Sequence, residues 1–123
     1  MPLVKLINLE LDHPTVTQGL LRFDHALAAA RQEGIAILKV IHGYGSSGVG
    51  GQLRFELWQV LDRCKRNGQI LDFIPGEEFR VSNEGTWALL RNFPEMKRDR
   101  DLGRQNKGVT LVVLQTQRTA RTR

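Results

Sequence analysis

The stretch ILKVIHGYGSSGVGGQLR, Ile37 to Arg54, decides how the chain is read. With Ile35 and Ala36 before it, IAILKVIH is a nearly unbroken apolar run. Such a run predicts a strand buried on both faces, covered by helices or held at the centre of a sheet. A histidine follows, and then five glycines fall between residues 43 and 51. Beyond them Leu53, Leu57, Val60, Leu61 and Cys64 mark one face of a helix, which Asn67-Gly68 should stop. The unit is therefore strand, glycine loop, helix. What the loop does is the functional question.

Working outward, LVKLINLEL (Leu3 to Leu11) is rich enough in Leu, Val and Ile to predict a strand. Asp12-His13-Pro14 marks a turn, with Asp12 or His13 as a candidate helix cap. Val16, Leu20, Phe23, Leu27 and Ala30 step by four and three along one helix face, and Gly34 should end it. Downstream, QILDFIP predicts a third strand stopped by Pro75-Gly76. Two successive strand-helix passages imply parallel pairing with right-handed crossovers. Thr86 to Phe93 reads as a strand or a short helix stopped by Pro94, and Lys97 to Lys107 as a charged, mobile segment. GVTLVVLQT predicts a last strand, and TQRTARTR a disordered basic tail. The expected fold class is α/β: a small two-layer sandwich, βαβα followed by further strands, with a mixed, mostly parallel sheet. Residues 1–115 form one domain with an insertion at about 80–107, and 116–123 form the tail.

The chain has 123 residues and a net charge of +5. That length suits one ordinary domain that folds without staples. The charge is uneven. Residues 1–93 balance, whereas residues 94–123 hold eight basic and three acidic side chains. Such asymmetry points to a polyanionic partner, set against the plainer alternative of a solvated loop and tail. The single Cys64 excludes an internal disulfide and should be buried and inert. It agrees with a reducing, cytoplasmic setting. No early apolar run resembles a signal peptide, and no stretch approaches the roughly 20 residues that span a bilayer. No membrane partner is expected, and a monomer is favoured.

Gly43-Tyr44-Gly45-Ser46-Ser47-Gly48 matches the G-x-G-x-x-G pattern of dinucleotide-binding turns, and Asp72 falls roughly where a ribose-binding acid is sought. The loop continues through Gly50 and Gly51, however, and only one clear strand follows Asp72. That is too little for a dinucleotide fold, so a nicotinamide or flavin cofactor is a remote reading. A phosphate-loop NTPase is excluded, because Gly-Lys-Ser/Thr is absent. A looser use of the same physics fits better. Glycines allow close backbone approach, and N–H groups at a helix start attract phosphate oxygens. Arg54 adds charge one turn into the helix, and His42 could donate to a phosphate or move a proton. A plain turn, with His42 satisfied by backbone, is the alternative.

Taken together, His42-Gly43-Tyr44-Gly45, the later Gln52-Leu53-Arg54 and the closing Gly108-Val109-Thr110-Leu111-Val112-Val113-Leu114 resemble the Smr (small MutS-related) domain family. The resemblance covers roughly Leu6 to Gln115, apart from the stretch Arg80 to Lys107. It implies an α/β fold like the C-terminal domain of translation initiation factor three. It also implies DNA or RNA binding, often with endonuclease activity. Nuclease members carry Leu-Asp-x-His at the end of the first strand. Here Leu9-Glu10-Leu11-Asp12 takes that place, with Glu10 for the aspartate and Asp12 for the histidine, and His13 one place on. The resemblance thus nominates Glu10, Asp12 and His42 as catalytic residues. His42, Gly43, Tyr44, Gly45 and Arg54 are nominated as nucleic-acid contacts, and the basic excess adds Lys97, Arg98, Arg100 and Arg104. No cofactor is required by the binding reading. As a nuclease the chain would use Mg²⁺ or Mn²⁺, for which Glu10 and Asp12, sharing a strand face, with His42 nearby, are candidate ligands. Binding with a degenerate catalytic motif is the preferred expectation, and cleavage is the alternative. Tyr44 is a candidate to stack on an unpaired base. Trp58 and Trp87 are expected to serve core packing.

Overall fold

A computed structural model describes residues 2–44 and 49–116. Its elements run β1 (Val4–Asn8), α1 (Val16–Glu33), β2 (Ile37–Ile41), α2 (Val49–Arg66), β3 (Asp72–Pro75), α3 (Glu84–Asn92) and β4 (Val109–Val113). Two 3-10 turns, Gly76–Glu78 and Pro94–Arg98, flank α3. The expected basic tail lies, from residue 117, outside the described residues.

The four strands form one mixed sheet in the order β1-β2-β4-β3. β1 pairs in parallel with β2, Val4 facing Ile37 and Asn8 facing Ile41. β4 is antiparallel to both β2 and β3. Three strands therefore point one way, as the βαβα order predicts. β2 and β3 are not neighbours, however: β4 inserts between them and makes two of the three pairings antiparallel. The reason is local. β4 is the most completely buried strand, all five residues of VTLVV being buried, so it takes a central place instead of an edge.

Alternation along the strands divides the core. Leu38, Val40 and Val112 pack with Phe23, Leu27, Leu53, Leu57 and Leu61 of α1 and α2. This is the α/β sandwich. Ile37, Leu111 and Val113 point the other way, against Phe79, Leu89, Leu90, Phe93 and Met96. The segment between β3 and β4 thus covers the second face of the sheet, which explains why β2 reads as continuously apolar. Cys64 is buried, and burial pushes its thiol up.

Several local expectations change. The cap of α1 is Thr15, not Asp12 or His13. The Thr15 side chain accepts from the Gln18 N–H and the Gln18 side chain accepts from the Thr15 N–H, a reciprocal capping box. Asp12 and His13 both have positive φ, 63° and 48°, and form the turn before it. The helix ends at Gly34 as expected, in the left-handed conformation. The stretch Thr86–Phe93 is mostly helical, opened by the Asn83 side chain at the Thr86 N–H. Trp87 is not core. It is 55% exposed and lies under the Arg91 guanidinium. Among the described residues no helix is long and apolar enough to cross a membrane.

Candidate functional site

β1 and β2 run the same way, so their C-terminal ends meet at one edge of the sheet, where β4 begins. His42 and Gly43 follow β2 there. The Gly108 carbonyl, just before β4, accepts from both the His42 N–H (2.9 Å) and the Gly43 N–H (3.1 Å). Gly43 has φ 72°, and a Cβ on it would run into the Glu10 carboxylate. The positive φ is what favours glycine there, since the exposed Glu10 side chain could swing aside. Gly45, the next nominated contact, lies outside the described residues, as do Ser46, Ser47 and Gly48.

His42 does not face solvent. Its exposure is 0%. Nδ1 lies 2.7 Å from the Gly43 carbonyl, and Nε2 lies 2.8 Å from Thr110 Oγ1. Trp58 Nε1–H donates to the same hydroxyl oxygen at 3.0 Å. The proton positions follow from what each group can do. The carbonyl only accepts, so Nδ1 carries the proton. The indole only donates, so the Thr110 oxygen accepts from it and gives its own proton to Nε2. Every polar atom of this cluster is satisfied and the imidazole is neutral. Burial pushes its pKa below the usual histidine value, against the raising effect of the Gly43 contact. His42 is therefore a positioning residue for the glycine turn. Its nomination as catalytic base and phosphate contact fails on this geometry, because neither ring nitrogen is free or accessible.

Glu10 and Asp12 are both exposed. They do not share a strand face: β1 ends at Asn8 and they sit in the turn that follows. Arg22 of α1 holds that turn by donating to the Leu9 and Leu11 carbonyls. Among the described residues no three His, Cys, Asp or Glu side chains are placed to hold a metal ion. The donor set of Glu10, Asp12 and His42 proposed for Mg²⁺ or Mn²⁺ does not assemble, since His42 is turned inward onto Thr110. Asp72 fares no better as a ribose acid. It opens β3 opposite Val113, at the far end of the sheet from Gly43, and pairs with Lys65 at 3.0 Å.

On the second face of the sheet the strand pattern hides a charge. Lys39, in the middle of β2, is only 7% exposed. Its Nζ reaches Asp99 Oδ1 (2.8 Å) and Asp101 Oδ2 (2.5 Å). Asn106 Nδ2–H donates to Asp101 Oδ1 (2.9 Å), and its own carbonyl accepts from the Gly108 N–H (2.9 Å). Burial alone would raise the Asp101 carboxyl. The hydrogen bonds from Asn106 and Lys39 and the Lys39 charge outweigh it and pull the pKa below the ordinary value. Segment 97–107, expected to be mobile, is thus latched to the sheet. The signal was in the sequence: a lysine inside an apolar strand, and two aspartates inside a basic run.

The latch has a spatial result. An open groove of about 800 Å³ lies between the sheet end and this segment. Leu6, Ile41 and Val109 form its apolar wall. Glu10, Gly43 and Tyr44 stand along it, and Arg100 and Asp101 oppose them. A second cleft of about 530 Å³ shares Tyr44, Arg100 and Asp101 and adds Arg104 and Lys107. Arg100, Arg104 and Lys107 are all exposed, and none forms an ion pair among the described residues. Of the four nominated cations of this segment, Arg100 and Arg104 are brought to Tyr44. Lys97 and Arg98 sit exposed on the 3-10 turn and line neither cleft. Lys107 was not nominated and belongs with the site.

Arg54 occupies the α2 side of the same sheet end. Its guanidinium lies over the Phe55 and Trp58 rings at 4.7 and 5.0 Å. It makes a long ion pair with Glu77, 3.8 Å. Its Nε and Nη1, and Glu77 Oε1, are buried without a hydrogen-bond partner among the described residues. Unspent donors beside a glycine loop are what an anion would satisfy.

These features can be set against known proteins. Over 63 residues, 51% of this chain, the sequence is 40% identical to "Endonuclease MutS2" of Thermus thermophilus, and the match spans 8% of that protein's length. The structure resembles the crystal structure of the Smr domain of Thermus thermophilus MutS2 with a TM-score of 0.54 and 28% identity, covering 90% of this chain and 98% of that one. The chain folds as an Smr domain. No family model matches the chain. In this Smr domain His42-Gly43-Tyr44 and the Gly108-Val109-Thr110 strand start meet at one sheet end, with Arg54 close enough to act on His42 electrostatically.

Proposed function

We propose that this Smr domain binds nucleic acid at the sheet end, gripping phosphates with Arg54, Arg100, Arg104 and Lys107. One observation carries the reading. Three exposed cations that form no ion pair among the described residues gather beside an exposed tyrosine at the glycine turn, in an α/β frame like that of a MutS2 Smr domain. A cation not held in a close internal salt bridge is free to meet a phosphate. The Glu10 carboxylate lies against Gly43, and the Gly43 N–H is already given to the Gly108 carbonyl, so the turn serves here by holding Tyr44 beside the cations. His42, Thr110 and Trp58 hold the turn in shape and touch no ligand.

The test is an electrophoretic shift with labelled single-stranded, duplex and branched DNA and with structured RNA, across a salt series. Observed affinity should fall with salt at a log–log slope of about −0.7 to −0.9 per phosphate contacted. Arg100→Ala and Arg104→Ala should each flatten the slope by about one contact. Absent binding at low salt, or binding indifferent to salt, would overturn the reading.

Phosphodiester cleavage is the second reading, and two things favour it. The 40%-identical relative is called an endonuclease, and the Glu10 carboxylate lies against Gly43 on the groove. Product formation lost in Glu10→Gln, with binding retained, would establish it. Shifts without product under every condition, Mg²⁺ and Mn²⁺ included, would leave binding alone.

A further inference from the structure

The groove on the second face of the sheet offers more than a grip on phosphates. Its long wall is apolar, formed by Leu6 of β1, Ile41 of β2 and Val109 of β4. Leu6 is 59% exposed and Tyr44 57% exposed. Two large apolar side chains left open to water along one concave surface call for a flat apolar occupant. Arg100, Arg104 and Lys107 stand at the same mouth and call for anionic charge next to it. The carboxylates present do not cancel that charge. Asp101 is already spent on Lys39 and Asn106, which leaves Glu10 as the only unspent one lining either cleft among the described residues.

We infer that this groove receives the base of an unpaired nucleotide, stacked on the Tyr44 ring, while Arg100, Arg104 and Lys107 hold the phosphates on either side. The inference rests on the nucleic-acid-binding reading and narrows it to single-stranded, bulged or branched ligands. A base paired within a duplex keeps both faces stacked on neighbours and cannot enter a groove in the protein. An unpaired one has a face to offer, and every base has one, so the selectivity is for strandedness and not for sequence. Hydrogen-bonding groups on the floor are largely committed to each other, Lys39 to two aspartates and Asn106 to Asp101 and Gly108, which fits stacking without base readout.

The experiment uses the full chain and three probes of one sequence, each as DNA and as RNA: single strand, perfect duplex, and duplex with one unpaired 2-aminopurine. The wild type should bind the single strand and the bulged probe at least about tenfold more tightly than the duplex, the range expected for one stacked base. The 2-aminopurine emission should change on binding. Tyr44→Ala should erase the preference and the emission change while altering duplex affinity less than about twofold, and Tyr44→Phe should keep both. Leu6→Gln, on an exposed edge position, should weaken the preference without touching any cation. Salt-sensitive binding with no preference among probes, or an equal loss on all probes in Tyr44→Ala, would overturn the groove and leave phosphate binding standing. No binding of any probe at low salt would overturn both. A preference confined to the RNA or to the DNA arms would support the groove and name the polymer.

Discussion

The two faces of the sheet are built from the same strands and held by different physics. Toward α1 and α2 the contact is apolar, Leu38, Val40 and Val112 against helix residues such as Phe23, Leu57 and Leu61. Toward α3 and the segment before β4 the contact is apolar at one end only. At the other end Lys39 holds Asp99 and Asp101. Apolar burial is non-directional and fixes that something is covered. A charged, hydrogen-bonded contact fixes where. Both faces contribute stability, and the second also brings Arg100, Arg104 and Lys107 to Tyr44.

The largest test of that contrast is Lys39→Met. If the second face were ordinary core, an apolar side chain of similar length would be neutral or better. If it is a latch, two carboxylates are left buried without a counter-charge. We expect a loss of about 3–5 kcal/mol in urea unfolding, together with weaker nucleic-acid binding by the folded fraction. Adding Asp99→Asn and Asp101→Asn should recover most of the stability and none of the binding. Leu57→Ala on the first face should cost about 2–5 kcal/mol through its cavity. Its folded fraction should bind as the wild type does, which separates the two faces by readout.

Thr110→Val comes next. It strips the Trp58 N–H and His42 Nε2 of their shared partner, for a cost of about 1–3 kcal/mol by denaturation. Acid sharpens the same comparison. His42 in the folded state has a pKa below its unfolded value of about 6.5. Its contribution is therefore complete above that pH and declines as pH falls below it, because the unfolded chain takes up the proton first. Asp101 is depressed too, so its contribution is present above its unfolded value of about 3.9 and is lost as pH falls through the folded one. Urea midpoints should drop in two stages, first from the α2 face and then from the latch. Ring-proton NMR of His42 should place its titration midpoint below that of a free histidine. The smallest effect is Asp12→Gly. Relief of the left-handed backbone should raise stability by up to about 1 kcal/mol, and binding should not change. A loss of cleavage in that variant would instead restore Asp12 as a catalytic group.

Much of this was legible in the residues. The strand at Ile37 to Ile41 and the helix stops at Gly34 and Asn67-Gly68 follow from periodicity and glycine geometry, and the likeness to an Smr domain from motif. The place of β4 was not, since which strand fills a central slot depends on burial across the sheet and not on chain order. The Thr15-x-x-Gln18 capping box is a local pattern, but Asp12-His13-Pro14 beside it carries the more conspicuous turn signal. His42 misled because a histidine beside glycines suggests exposure, while only the fold shows Thr110 and Trp58 closing over it. Lys39 was read through as part of an apolar run. Its partners lie 60 and 62 positions away, and no local pattern connects them.

The Gly108 carbonyl gives the site a mechanical property. Two amides from the glycine turn hang on that one oxygen, and the Gly108 N–H on the other side is tied to Asn106 and through it to Asp101 and Lys39. A strand of nucleic acid that tugged on Arg100 or Arg104 would load the peptide unit from which Gly43 is suspended. Grip and loop shape are then a single adjustable quantity, tensioned from one point.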